Sequence, residues 1–324
     1  MKRLNEHRFA RTSVPWWLHV ISISAVLLVT SALPLAAQDL SPRAYVITPI
    51  HSNAIILTWS FYDGGVNLNG SIPIIGATGR YNVPTLSYYY SFGFFGRSSN
   101  VTASLPYGVG DFQGAALGTE TSVYRSGLLD FYVRFSVNLV GGPSMPAEEY
   151  AKWKQKTLLG ASLKVVFPTG QYKATKLVNW GNNKWAFKPE LGYSRLRGKW
   201  MLDAYAGVWF YTTNPASFAI PLPEPQTEGP IGSIESHLSR NLGKQRFWAS
   251  LDGNFWFGGT TTLNGIRKPG TRQTSSRLGG TFSFPITKHQ SFKIAYSKGT
   301  YIRFGDDYQN LQVAWQYSWL GWSK

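Results

Sequence analysis

The sequence predicts an all-β fold, a transmembrane, antiparallel, up-and-down β-barrel of about twelve strands that follows a signal peptide. Three observations predict it: apolar and polar residues alternate in repeated segments, short and long links alternate between segments, and the apolar faces often end in aromatic rings. Successive side chains of a strand point to opposite faces, so each segment has one apolar and one polar face. Single-chain bacterial outer-membrane barrels share these features and have even strand numbers.

The N-terminus is a separate element, which we predict to be a secretory signal peptide spanning residues 1–37. Basic residues precede an apolar run from Trp16 to Leu35, and small residues follow it. This order is typical of a cleaved export signal. A retained membrane anchor is the alternative, because about 20 apolar residues can span a bilayer. We expect residues 38–52 to form a periplasmic N-terminal segment and residues 53–324 to form the outer-membrane barrel.

The alternation is clearest from Leu129 to Leu139, where every odd-numbered residue is apolar and every even-numbered residue can be polar. The weakest patterns are those of 101–107 and 231–239. The predicted strands, in chain order, are 55–61, 86–94, 101–107, 129–139, 159–167, 185–194, 200–210, 231–239, 247–257, 277–286, 291–297 and 311–319.

The links between strands carry an independent signal. In the second half, the short links RLRGK, RNLGKQR and TKHQ alternate strictly with long links such as TTNPASFAIPLPEPQTEG and KGTYIRFGDDYQ. Outer-membrane barrels have short periplasmic turns and long external loops. This parity places both termini in the periplasm. Residues 141–156 are too long for a periplasmic turn, and we expect a short helix after Pro146.

A soluble β-sandwich is the alternative fold, because half-buried antiparallel strands are common in soluble proteins. Strands of about 9–11 residues match a tilted membrane crossing. Terminal rings such as Trp59, Trp200 and Trp319 fit the aromatic belts at the membrane interface. We therefore expect the apolar faces to contact outer-membrane lipid of a Gram-negative bacterium. The aromatic last strand would be the signal for the barrel-assembly machinery.

Composition excludes several kinds of site. The chain has no cysteine, so disulfides, thiolate zinc sites and cysteine nucleophiles are excluded. The formal net charge of +16 favours contact with lipopolysaccharide phosphates or an anion-favouring pore, since an exported chain does not normally meet nucleic acid. Histidine pairs at ligand spacing and nucleotide-type glycine loops are missing from the sequence. We expect neither a metal nor a cofactor.

An enzyme is not expected either. Some outer-membrane barrels hydrolyse lipids with serine and histidine, and His237 lies near Ser236 and Ser239. Ser236 would point to the opposite face of the strand, whereas Glu235 would share the face of His237. A catalytic triad needs three groups that converge in space, and the sequence marks none.

Long stretches of the chain resemble the family labelled MetA-pathway of phenol degradation, a set of outer-membrane transporters. They include KQKTLLGASLKVVFPTGQY, KLVNWGNNKWAFKPELGYS, LDAYAGVWFYTTNP, SLDGNFWFGG, PITKHQSFKIAYSKG and YQNLQVAWQYSW, and the likeness covers most of residues 125–320. The resemblance implies uptake of aromatic or hydrophobic compounds. It supplies no catalytic residues, so none are assigned.

Inward-facing side chains are the candidate functional residues, because a barrel of about twelve strands encloses a restricted lumen. The charged candidates are Asp130, Arg134, Lys164, Lys188, Glu190, Asp203, Glu235, Asp252, Arg277 and Lys293, and the aromatic candidates are Tyr205, Trp209, Trp248 and Trp256. The charges either brace the barrel as paired groups or form a selective constriction. The rings either fill space or contact a hydrophobic permeant. The expected function is a channel for small aromatic or hydrophobic compounds; the alternatives are a structural or adhesive barrel and a lipid hydrolase.

Overall fold

The computed structural model describes residues 41–67, 74–116, 119–219, 221–243 and 247–321. The predicted signal peptide and the first residues of the predicted N-terminal segment lie outside this part. None of the helices in the described ranges has the length and apolar character needed to cross a membrane.

Antiparallel strands form one closed barrel with twelve strand positions, as predicted. The barrel strands are β1 (Ser52–Gly65), β2 (Ile74–Phe94), β3 (Arg97–Ala116), β4 (Thr119–Leu128), β5 (Tyr132–Val140), β6 (Thr157–Val166), β7 (Ala186–Arg197), β8 (Trp200–Tyr211), β11 (Ile231–Leu242), β12 (Phe247–Gly258), β15 (Gln273–Pro285), β16 (Gln290–Ile302) and β17 (Asp307–Leu320). Strands β4 and β5 share one position, because both pair with β3. Pairing of β1 with β17 closes the barrel.

A break between β4 and β5 corrects the continuous strand that we predicted at 129–139. Residues Leu129 to Phe131 are not in a strand. Their backbone groups bond elsewhere: the Leu129 N–H donates to the Pro106 carbonyl, and the Phe131 N–H donates to the Thr169 hydroxyl. Asp130 therefore lies in the break rather than on a strand face.

The apolar faces of the strands point outward. In β8, Trp200, Leu202 and Phe210 are exposed, whereas Met201 and Asp203 between them are buried. A soluble sandwich would bury the apolar face and expose the polar one, which is the reverse of this pattern. An exposed apolar wall around a closed barrel is what lipid requires. The protein is thus a β-barrel of the Gram-negative outer membrane.

The two ends of the barrel differ, and we name them by their links. The turn end carries the short links β2–β3, β7–β8, β11–β12 and β15–β16, together with residue 51 and the end of β17. The β5–β6 link is also at the turn end and contains the predicted helix, α1 (Ala147–Lys152), with Pro146 as its N-cap. The loop end carries the remaining links, apart from the break between β4 and β5, which lies in the wall.

Long links at the loop end are partly folded. They form a separate four-stranded sheet of β9 (Asn214–Ser217), β10 (Glu224–Glu228), β13 (Thr261–Leu263) and β14 (Ile266–Lys268), and the last is followed by a 3₁₀ turn, Pro269–Thr271. The prediction of a long link at residues 298–309 is wrong. Strands β16 and β17 extend into it and leave only residues 303–306 between them, because strand pairing continues beyond the apolar stretch.

The β6–β7 loop folds inward over the lumen. Its Trp180 and Val178 pack against Tyr81, Phe112 and Val66 in a buried apolar cluster. A side chain at Gly108 of β3 would overlap the Trp180 ring, so the glycine makes room for it. This cluster bounds the lumen at the loop end.

Candidate lumen site

The barrel encloses a cavity of about 1660 Å³. It reaches from Trp180 near the loop end to the β15–β16 turn at the turn end. Seven of the candidate residues line it: Asp130, Arg134, Lys164, Asp252, Arg277, Lys293 and Trp248. Serine, threonine and tyrosine side chains supply much of the remaining lining, so the cavity presents rings beside polar groups.

Charged side chains form a continuous network across the barrel wall, which we call the charge belt. It consists of Arg134, Lys188, Glu190, Glu235, His237 and Asp252. The Lys188 ammonium lies 2.7 Å from both Glu190 and Glu235. The Arg134 guanidinium is 3.3 Å from Glu190. At the other end, His237 Nδ1 is 2.9 Å from Asp252 Oδ1.

The belt couples distant strands. Asp252 on β12 also accepts hydrogen bonds from Ser250 at 2.8 Å and from Thr281 of β15 at 2.6 Å, while Arg134 lies on β5. Buried charges are costly unless they are paired and hydrogen-bonded. Lys188, Glu190 and Glu235 are buried and do not line the cavity. Their geometry is that of a brace, whereas Arg134 and Asp252 also face the cavity.

The N-terminal segment, residues 41–51, lies inside the turn end of the barrel. Arg43 donates from its backbone N–H to Asp203 at 3.2 Å, and its guanidinium donates to Ser239 at 3.0 Å and Asn241 at 2.8 Å. The same guanidinium lies 4.4 Å from the ring centroid of Trp248. Asp203 and Trp248, two of the candidates, thus hold the segment in place.

Tyr45 of this segment is almost fully buried, with 1% of its surface exposed. Its hydroxyl is 2.9 Å from both Ser162 Oγ and Glu190 Oε1. Tyr205 bonds the segment as well, because its hydroxyl accepts the Ala44 N–H at 3.1 Å. Further along, the Tyr150 hydroxyl donates to the Ile47 carbonyl. The segment fills one side of the turn end and leaves the side of β1 and β15–β17 to the cavity.

Trp209 and Trp256 are fully buried in a wall cluster with Ile231. The Lys164 ammonium lies 4.3 Å from the Tyr132 ring centroid and 5.6 Å from that of Trp209. The Trp256 indole N–H donates to Gln273 at 2.9 Å. Both tryptophans fill space beside the cavity rather than line it.

Arg277 and Asp306 form a second polar site towards the loop end. The Arg277 guanidinium donates to Ser297 at 3.1 Å and lies 4.2 Å from the Tyr308 ring centroid. Asp306, in the β16–β17 loop, is fully buried and accepts the Asn67 N–H at 2.6 Å. Burial raises the pKa of Asp306 to about 7, although the Asn67 hydrogen bond and the Arg277 charge oppose the shift.

Asp130 pins the β6–β7 loop. Its carboxylate accepts the N–H of Gly170 at 2.9 Å, and it accepts both the N–H and the side-chain amide of Asn182 at 2.9 and 3.0 Å. The Asp130 carboxylate thus bonds the β6–β7 loop at the break between β4 and β5, and it also lines the cavity.

The surroundings of His237 do not resemble a triad. Its two ring nitrogens face carboxylates, Asp252 at 2.9 Å and Glu235 at 3.8 Å. Ser236 is exposed on the outer face, and Ser239 bonds Arg43. The described ranges also contain no cluster of histidine, aspartate and glutamate that could hold a metal ion.

Sequence reasoning did not identify Arg43, Tyr45 or Trp180 as site residues. One signal was available: Gly160 and Gly192 occupy inward positions on neighbouring strands. A glycine inside a strand often marks the close approach of another part of the chain.

Comparison with known proteins gives a family and a fold. The family described as MetA-pathway of phenol degradation matches residues 75–302. The fold is similar to that of an outer membrane channel from Pseudomonas putida F1, with a TM-score of 0.69 and 14% identity over 87% of this chain and 100% of that chain. The beta domain of a Bordetella autotransporter aligns with a TM-score of 0.48 and 13% identity over 83% of this chain and 100% of that chain. No curated protein sequence matches the chain.

Proposed function

The chain belongs to the MetA-pathway of phenol degradation family, and from this premise we propose that it is an outer-membrane channel for the uptake of small aromatic or hydrophobic compounds. The observation that carries the proposal is the lumen cavity of about 1660 Å³, which extends between the two ends of a closed barrel. Its lining presents aromatic rings beside many polar side chains, so an aromatic compound with polar substituents could contact both.

The cavity lining supplies the contacts. We assign the permeant's apolar contacts to Trp248 and to the tyrosines of the lining, and its polar contacts to the charged candidates there. These are Asp130, Arg134, Lys164, Asp252, Arg277 and Lys293. Rings of charged side chains select solutes in other pores. Lys188, Glu190 and Glu235 would act indirectly, because they hold Arg134 and His237 in position.

The loop end faces the outside in this proposal, because outer-membrane barrels carry their long loops externally. Exposed basic residues at this end would meet lipopolysaccharide phosphates. They include Lys173, Lys176, Arg267, Lys268 and Arg272. The aromatic strand β17 would be recognised by the barrel-assembly machinery, and no contact with nucleic acid is proposed.

A lipid hydrolase is disfavoured by the environment of His237. A general base needs a free ring nitrogen directed at a nucleophile, and here both nitrogens face carboxylates. A structural or adhesive barrel would share the wall but would not conduct. Conductance therefore separates the proposals.

The test is single-channel recording from the purified, folded protein in a planar bilayer, with phenol then added to one side. We expect steady currents that phenol interrupts. Silence from folded protein would contradict the channel and leave the adhesive barrel. Release of fatty acid from phospholipid, abolished by His237→Ala, would support the hydrolase instead.

A further inference from the structure

We propose that the inner wall at the turn end contains a binding site for a phenol, which the side chain of Tyr45 occupies in this structure, and that small phenolic compounds compete with Tyr45 for it. The inference rests on the proposed uptake of aromatic compounds and names the site and the chemical class. Tyr45 is itself a tethered phenol, so its contacts show which groups of the wall recognise one.

The wall is shaped for a flat ring. Gly160 of β6 and Gly192 of β7 lie directly opposite each other in the strand register. A Cβ built on either glycine would overlap the Tyr45 ring. Glycine in a strand interior is unfavourable unless something must approach closely. The two glycines therefore form a slot in the wall, and its depth is that of one aromatic ring.

The floor of the slot recognises a hydroxyl. Ser162 Oγ and Glu190 Oε1 each lie 2.9 Å from the Tyr45 hydroxyl. Glu190 is in turn held by Lys188 and Arg134, so a phenolic O–H can donate to a fixed carboxylate. An arene without a hydroxyl would make neither of these two hydrogen bonds to the buried polar groups, and sites built to bond a hydroxyl discriminate against analogues that lack it.

Two further wall groups contact the ring. The rings of Tyr205 and Tyr45 are in a T-shaped arrangement, with centroids 5.1 Å apart and an interplanar angle of 64°. The Arg134 guanidinium lies 5.0 Å from the Tyr45 ring centroid. Aromatic edges and cations both attract a π face. Arg134 also lines the cavity, so the slot adjoins the space through which a permeant would pass.

Tyr45 and a free phenol would compete for the slot, because Tyr45 is tethered beside it by the N-terminal segment. Residues 41–51 are held independently by Arg43 and by the Ile50 N–H, which donates to the Met145 carbonyl at 3.0 Å. Tyr45 can leave the slot while the rest of the segment remains attached. A short tether supplies its ring at a local concentration in the millimolar range, so a free phenol needs similar concentrations to displace it. Removal of the ring should make the same site accessible at lower concentrations.

The experiment compares Tyr45→Ala with the wild type, both purified and folded in detergent, with phenol as the probe. We expect phenol to raise the melting temperature of Tyr45→Ala by about 3 °C at ten times its Kd. The wild type should show a much smaller shift. Toluene lacks the hydroxyl and cyclohexanol lacks the aromatic ring. The Kd of each should be at least tenfold higher than that of phenol.

A second variant makes the site assignment specific. In Tyr45→Ala/Gly192→Ala, the new methyl group enters the slot, and the response to phenol should disappear. The matched control is Tyr45→Ala/Gly253→Ala, because a Cβ at Gly253 meets only atoms at 3.4 Å or more. It should keep the response.

Two outcomes would overturn the inference: no response to phenol in folded Tyr45→Ala, or an equal response when Gly192→Ala is added. If Tyr45→Ala does not fold, Tyr45→Phe replaces it, since it keeps the ring but loses both hydroxyl contacts. It should lower the phenol concentration needed for displacement at least threefold, and an unchanged concentration would refute the site. These binding measurements do not depend on conductance. Binding without currents would contradict the channel alone, and currents without binding would contradict the phenol site alone.

Discussion

The two ends of the lumen are narrowed by different chemistry. At the turn end, Arg43 and Tyr45 enter from the N-terminal segment and are held by hydrogen bonds and charges. At the loop end, Trp180 is held by the rings of Tyr81 and Phe112. Buried polar contacts depend on the presence of each partner, whereas apolar contacts depend on buried area and shape. The turn end should therefore respond to the loss of single polar groups, and the loop end to the loss of volume.

The largest effect is expected for Lys188→Met, which removes the ammonium shared by two buried carboxylates. Breaking a buried ion pair from one side costs about 3–5 kcal/mol. The free energy of unfolding, measured by urea titration in detergent, should fall by that amount. The control is Arg80→Met, whose ion pair with Asp63 is at the surface, with the Arg80 side chain 72% exposed. Similar losses in both variants would refute the brace, because exposed pairs contribute little.

Trp180→Ala tests the loop end. Removal of this buried ring should lower the free energy of unfolding by about 3 kcal/mol, because it leaves a cavity among Tyr81 and Phe112. Single-channel currents should become larger, while phenol binding by Tyr45→Ala should not change. Tyr124→Ala, which removes an exposed ring, is the control. Loss of phenol binding in Tyr45→Ala/Trp180→Ala would show that the two ends are coupled.

Asp306, at the loop end, should make the free energy of unfolding depend on pH. Its carboxyl has a reference pKa of 3.8 and holds its proton up to about pH 7 in the folded protein. The folded state therefore binds more protons between these values, and stability falls as pH rises through this window. We expect Asp306→Asn to flatten this fall, because the amide has no proton to lose in this range. An identical pH profile for the variant, measured by urea titration, would assign the dependence to other groups.

The smallest effect on stability is expected for Arg43→Ala at the turn end. It removes two side-chain hydrogen bonds and the contact with Trp248, so the loss should be about 2 kcal/mol. The conductance should rise, because the N-terminal segment loses an anchor. Arg43→Lys should not restore the wild-type currents, since an ammonium cannot reproduce the fork of a guanidinium. Full restoration by lysine would mean that charge alone holds the segment.

The alternation of apolar and polar residues was sufficient to predict the barrel wall. Alternation in segments such as 200–210 depends only on neighbouring residues, because the side-chain period of a strand is two. Twelve such segments and their links predicted the barrel and its lipid-facing side, and both are confirmed. The weak segment 101–107 became part of the long strand β3, since pairing with β2 and β4 extended it beyond its apolar residues.

The same reasoning was less informative for the lumen. The alternation of side chains identified the inward side of each strand. It could not show that Lys188 and Glu235 form an ion pair or that Trp209 is buried in an apolar cluster. Asp130 fits the alternation of a strand, yet the Gly170 and Asn182 groups that bond it belong to a loop and lie 40 and 52 residues away along the chain.

The sequence by itself thus determined the barrel, its orientation towards lipid and the set of polar side chains available inside. Only the tertiary structure decided which of them pair, where the wall breaks and what occupies the lumen. The physical reason is the distance along the chain. Tyr45 meets Gly160 and Gly192, contacts that arise only once the barrel has closed and that leave no periodic pattern in the sequence.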